Sequence, residues 1–209
     1  MTNTVNRLTP QNAALLLIDH QTGISNGITD MTQPEFKNNL IALAKIGKMF
    51  GLPSVITTSA ANGPNGPLIG DIVEILPNAP VIHRPGQINA WEYEEFVATV
   101  KKSGRKKLIM AGVSTDVCLA FAAISAVQDG FDVYAVLDAS GTWSPLVAQT
   151  AALRMVQAGV IPMTWVAVSA ELQNDWRNPT GGELAELLRQ HLPFYGNVMA
   201  SFAAANTSN

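Results

Sequence analysis

The chain of 209 residues carries a single cysteine, Cys118. One thiol excludes an intramolecular disulfide framework and any multi-cysteine metal site, and it fits a reducing compartment. Charge is scarce as well: Asp, Glu, Lys and Arg make up 14% of residues, against about 25% in an ordinary soluble domain. With 47% hydrophobic residues, so little charge implies that part of the surface is covered by other subunits, and a homo-oligomer is expected. A net charge of -3 leaves no electrostatic footprint for nucleic acid. No apolar run approaches the roughly 20 residues of a membrane helix, and the opening MTNTVNRLTPQ lacks the apolar core of a signal peptide. The expectation is a soluble, cytoplasmic protein with neither nucleic acid nor membrane as partner.

Cofactor signatures are missing too. No G-x-G-x-x-G follows the first strand and no G-x-x-x-x-G-K-[ST] occurs, so nucleotide binding by either route is disfavoured. His20, His83 and His191 stand far apart, without H-x-H or H-x-x-x-H spacing, and no metal is expected. The pair Gly181 and Gly182 reads as a turn.

What is present is an alternation of short apolar runs with amphipathic stretches. Residues 13–19 (AALLLID) form a near-continuous apolar run, as in a central parallel strand covered on both faces. Pro34 opens a stretch in which Phe36, Leu40, Leu43, Gly47 and Phe50 recur at helical spacing, with Gly51 as the stop. Residues 54–58 read as a second strand, 61–67 as a Gly/Pro-rich loop and 80–83 as a brief third strand. Tyr93, Phe96, Val97 and Val100 mark another helix face. Residues 107–113, 132–137 and 162–168 complete six strands, with helices over 119–128 and 145–158. This pattern predicts one three-layer α/β domain over 1–209, built on a parallel, doubly wound (Rossmann-like) sheet of order 3-2-1-4-5-6. The tail from 193 to 209, with Phe194, Tyr195, Val198, Met199 and Phe202, is apolar for a terminus and is expected to pack on a neighbouring subunit.

In open α/β sheets ligands bind outside the carboxyl ends of the strands, where the strand order reverses. Asp19 ends the first strand, Arg84 follows the third, and Cys118 lies just past the fourth. In the order 3-2-1-4-5-6, Asp19 and Cys118 face each other across the crevice, and the loop after strand 3 brings in Arg84. A thiol at a strand-to-helix turn sits among unpaired N–H groups that favour its thiolate and hold an oxyanion. The carboxylate accepts its proton and the fixed cation steadies the sulfur. Such a thiol is expected to titrate below the free-thiol value. Gln21 is a candidate to orient Asp19, and Asn89 and Trp91 are candidates to line the substrate pocket. Asp116 would oppose a thiolate if it faced the sulfur, so it reads as a helix cap or loop partner.

Five segments stand in order along nearly the whole chain: LLLIDHQTG (15–23), RPGQINAW (84–91), AGVSTDVCLAFAA (111–123), DVYAVLDASGTW (132–143) and MTWVAVSAELQNDWRNP (163–179). On them the chain resembles the isochorismatase-like cysteine hydrolases, and within these the YcaC-like branch. The resemblance implies a three-layer αβα fold, hydrolysis through a cysteine nucleophile, and an Asp-Lys-Cys triad whose positions are held here by Asp19, Arg84 and Cys118. It also implies a cis peptide at Val113–Ser114, an oxyanion hole made by the backbone N–H groups of Ser114 and Cys118, and a ring-like oligomer, often an octamer.

Arg84 stands where most members of that family have lysine. A guanidinium keeps its proton and presents a planar fork of donors, so its expected role is fixed electrostatics and orientation, not proton transfer. The expected activity is cleavage of an amide-type C–N bond in a small molecule through an acyl-enzyme, without a cofactor. Two other classes compete. One is a catalytically silent oligomeric protein, which arginine in place of lysine keeps open. The other is a redox-sensing thiol, which the lack of a resolving cysteine weakens. A trapped acyl adduct identifies the hydrolase, a sulfenic acid the sensor, and neither the silent protein.

Overall fold

A computed structural model describes residues 7–207; residues 1–6 of the opening segment and 208–209 of the tail lie outside the described part. Six strands form one sheet in the order β3-β2-β1-β4-β5-β6, every neighbouring pair parallel. They are β1 (Ala13–Ile18), β2 (Ser54–Ser59), β3 (Val81–Arg84), β4 (Lys107–Gly112), β5 (Asp132–Val136) and β6 (Ile161–Met163). The expected α/β three-layer architecture and strand order are those observed.

Alternation along the strands divides the interior in two. Ala13, Leu15 and Leu17 of β1 face a core shared with α2 (Gln33–Met49), α3 (Gly70–Ile75), α7 (Trp165–Gln173) and α8 (Gly181–His191). Ala14, Leu16 and Ile18 face the other core, shared with α4 (Glu94–Lys102), α5 (Ala120–Gln128) and α6 (Pro145–Gln157). Both faces of β1 and β4 are therefore covered, which is why every residue of each is buried. The helix ends are marked chemically. Thr32 accepts from the Glu35 N–H at the head of α2, with Pro34 in the first turn, and Gly51 leaves the helix at φ 61°.

The structure corrects two expectations. The last strand is three residues, not 162–168, because Thr164 accepts from the Ala167 N–H at 3.3 Å and starts α7 at Trp165. An apolar run such as MTWVAV suits a buried strand and a buried helix equally, so periodicity alone does not separate them. Gly181 and Gly182 do not form a turn; they open α8. A Cβ on Gly181 would lie 2.1 Å from the Trp176 carbonyl oxygen, so the glycine is there for close approach. Two short helices, α1 (Thr22–Ser25) and α3, lie in segments to which the sequence pattern assigns no element.

The tail is helical as α9 (Pro193–Thr207), and it leaves Phe194, Val198, Met199 and Phe202 exposed. Tyr195 stacks on Trp176 with ring centroids 6.4 Å apart. Among the described residues no helix is long and apolar enough to cross a membrane.

Candidate active site

The strand order reverses between β1 and β4, and the residues that follow these two strands build the site. Asp19, directly after β1, turns the chain at φ 55°, a left-handed conformation that Asp tolerates better than most residues. Its N–H donates to the Thr57 carbonyl at 2.9 Å, and its own carbonyl accepts from the Gln21 N–H at 2.7 Å. The side chain is thereby fixed at the crevice floor, fully buried.

Arg84 ends β3 and is also fully buried at its side chain. Its Nη1 donates to Asp19 Oδ1 at 3.0 Å and its Nη2 to Oδ2 at 2.8 Å. Nη1 also donates to Thr57 Oγ1 at 2.8 Å, and Nε donates to the Gln87 carbonyl at 3.1 Å. A buried arginine persists only where its charge is paired and its donors find acceptors; here the charge is paired and four of the five N–H groups have acceptors.

After β4 the Val113–Ser114 peptide is cis, and a wide turn over Thr115–Leu119 carries Cys118 into α5. The turn is held from outside by the Thr115 N–H on the Gly141 carbonyl and closed by the Leu119 N–H on the Ser114 carbonyl, both at 3.0 Å. Gly112 lets it press against β1, since a Cβ there would stand 3.0 Å from the Ile18 carbonyl oxygen. Cys118, half-buried, thus meets Asp19, and its S–H donates to the carboxylate. The Ser114 backbone N–H hydrogen-bonds to the sulfur.

These surroundings reverse the expected shift of the thiol. Burial, then the charge of Asp19 and the hydrogen bond to it, push Cys118 up to about 12, while the Ser114 N–H and Arg84 pull the other way and are outweighed. The helix-terminus and cation effects read from the sequence have the expected sign; desolvation and the carboxylate exceed them. Burial also raises the Asp19 carboxyl, against the hydrogen bonds and charge of Arg84 and the Cys118 hydrogen bond. The resting pair is therefore a thiol beside a carboxylate, both held toward their protonated forms by burial.

The other candidates lie elsewhere. Gln21 is fully buried; its Nε2 donates to the Ser59 carbonyl at 3.1 Å and the Gly66 carbonyl at 2.6 Å, and its Oε1 accepts from the Ser59 N–H. It pins the loop after β2 to the strand ends, and its side chain makes no bond to Asp19. Asn89 accepts from the Trp91 N–H and donates to Ser125 Oγ, both at 3.0 Å. Trp91 donates to Asp129 at 3.3 Å and packs edge-on against Phe96 and Phe131. Asp129 caps the far end of α5, roughly 16 Å of helical rise from Cys118. Asn89 and Trp91 thus brace α4 against α5 through these contacts. Asp116 accepts from Thr142 Oγ1 at 2.8 Å and is a loop partner.

Thr57 escaped the sequence reading. The available signal was two threonines ending an otherwise apolar strand, whose buried hydroxyls must find partners. Among the described residues, no three of His, Cys, Asp and Glu gather closely enough to hold a metal ion.

Residues 13–167 match the Isochorismatase domain family. The chain belongs to the isochorismatase family. Within this family of hydrolases it is 48% identical to the probable hydrolase YcaC of Escherichia coli strain K12 over 202 residues, 97% of each protein. The E. coli YcaC structure, described as an octameric hydrolase of unknown specificity, superposes with a TM-score of 0.93 over 98% of this chain and 100% of that one. YcaC from Pseudomonas aeruginosa, solved with hexane-2,5-diol and covalent acrylamide, is 50% identical and gives 0.93 over 96% of this chain and 98% of its own.

Proposed function

We propose that this isochorismatase-like hydrolase cleaves an amide-type C–N bond in a small molecule, with Cys118 as nucleophile. The observation that carries the reading is the S–H of Cys118 donating to Asp19, whose carboxylate is clamped from behind by Arg84. As the sulfur attacks the carbonyl carbon, its proton passes to Asp19 and the C=O electron pair becomes an oxyanion. In this reading the backbone N–H groups of Ser114 and Cys118 receive that charge. Asp19 then protonates the leaving nitrogen, the C–N bond breaks and a thioester remains. Water, deprotonated by Asp19, attacks the thioester, releasing the acid and restoring the thiol. Arg84 stays charged throughout and holds the carboxylate in place.

Acrylamide is an electrophile of the kind a thiol adds to, so its covalent presence in the P. aeruginosa relative supports a reactive sulfur in this fold. A redox-sensing role is disfavoured because the chain has no second cysteine to resolve an oxidised Cys118. The low charge content, the exposed apolar residues of α9 and the octameric E. coli relative support a homo-oligomer, an octamer by likeness.

Incubation with a mixture of small amides and esters, followed by intact-mass spectrometry, tests the mechanism. An acyl adduct on the parent chain, absent in Cys118→Ala together with all turnover, is expected. Full activity in Cys118→Ala would refute covalent catalysis.

A further inference from the structure

We infer that Thr57 is the positioning residue of this site, holding both members of the Asp19–Arg84 pair and so fixing the carboxylate that Cys118 meets; the inference rests on the thiol–carboxylate reading above. Thr57 lies on β2 with Ile18 of β1 opposite on one side and Ile82 of β3 on the other. Its backbone carbonyl accepts from the Asp19 N–H at 2.9 Å. Its Oγ1 accepts from Arg84 Nη1 at 2.8 Å and donates to the Ile82 carbonyl at 2.8 Å. One residue thus touches the backbone of Asp19 and the side chain of Arg84.

The directions of these bonds matter. A hydroxyl has one hydrogen, and that of Thr57 goes to Ile82, so toward Arg84 the oxygen acts only as an acceptor. The guanidinium is then held at Nε by Gln87, at Nη1 by Thr57 and across both Nη atoms by Asp19, which leaves a planar group no free rotation. Without Oγ1, Nη1 would keep one hydrogen with no acceptor in a site closed to water. The group recovers a partner only by swinging, and the carboxylate bound to both its nitrogens swings with it. Thr57 is fully buried and makes no hydrogen bond to Cys118, so it acts through the pair.

The experiment measures the second-order rate of acrylamide addition to Cys118 from pH 6 to 9 by intact mass, with thermal unfolding recorded alongside. Thr57→Val keeps the shape and removes the hydroxyl; Thr57→Ala replaces it if that variant does not fold. Thr57→Ser keeps the hydroxyl. Expected are an at least tenfold slower addition at pH 7.5 for Thr57→Val, a rate profile moved to higher pH as Arg84 loosens its hold, and a Thr57→Ser rate within about threefold of the parent. An unchanged rate and profile in Thr57→Val, with or without a lower melting temperature, would overturn the inference, as would equal slowing in Thr57→Ser. No addition to the parent protein at all would instead remove the reactive-thiol reading beneath it.

Discussion

The two Nη atoms of Arg84 each take one carboxylate oxygen of Asp19, at 3.0 and 2.8 Å, with neither side chain exposed to solvent. Removing one partner from such a pair leaves an uncompensated buried charge, which costs about 3–5 kcal/mol. Arg84→Met and Asp19→Asn should each lose stability on that scale in urea melts. The double variant should lose clearly less than the two single losses together; simple additivity would show that the pair does not act as a unit. Arg84→Lys keeps the charge but not the fork, and should fall between the parent and Arg84→Met.

Cys118 is pushed up to about 12 by burial and by the charge of Asp19. The rate of its alkylation by iodoacetamide should climb steadily from pH 7 to 10 without a plateau. Asp19→Asn removes the opposing charge and leaves Arg84 in place, so its alkylation profile should move to lower pH, while turnover, which needs Asp19 as proton acceptor, should be lost. A plateau near neutrality in the parent would contradict this arrangement.

His20 is fully buried, with Nε2 hydrogen-bonded to the Ala139 carbonyl at 3.0 Å, and burial pushes it down to about 4. Its folded value lies below the unfolded one, near 6.5, so the unfolded chain takes up a proton that the folded chain refuses. Its contribution is complete above pH 6.5 and declines as pH falls toward 4, by up to about 3 kcal/mol. Asp138, raised to about 6 by burial, has the opposite dependence over part of that range. The measurement is therefore the difference between the parent and His20→Phe. Their stability gap should shrink between pH 7 and 4.5, and a constant gap would count against a buried neutral imidazole.

Gly181 and Gly182 are neighbours with opposite surroundings. A Cβ at Gly181 would meet the Trp176 carbonyl oxygen at 2.1 Å, whereas at Gly182 it would meet nothing within 4 Å. Gly182→Ala should raise stability by about 0.4–1 kcal/mol through the unfolded chain. Gly181→Ala should lower the melting temperature, because backbone must move. Equal effects at the two positions would mean that α8 does not begin as described.

The exposed face of α9 offers a test of self-association. Phe194→Glu with Phe202→Glu places charge on an apolar face, and sedimentation velocity should show a shift to smaller species than the parent forms. An unchanged distribution would place the subunit contacts elsewhere.

The sheet was legible because β1 is apolar throughout and β4 is apolar after Lys107, and the strand order then put Asp19 and Cys118 on opposite sides of the reversal. Segments with weaker punctuation were not legible. Thr164 decides between strand and helix by one hydrogen bond, and Gly181 looks like a turn until the Trp176 carbonyl is seen beside it. Trp91 follows Arg84 closely in sequence, yet Phe96 and Phe131 draw it toward the far end of α5. The thiol's direction of shift was illegible for a different reason: proximity to a cation and a helix terminus can be read from order along the chain, whereas the extent of desolvation depends on the whole packed fold.

The turn at Asp19 restricts what can stand there. At φ 55° the backbone favours Gly, Asn and Asp, and of these only Asp carries a carboxylate. Glutamate, the usual conservative replacement, is disfavoured by that backbone and is one methylene too long for the fork of Arg84. Substitution can silence this position easily, but the chain has no small step by which to exchange one acid for another.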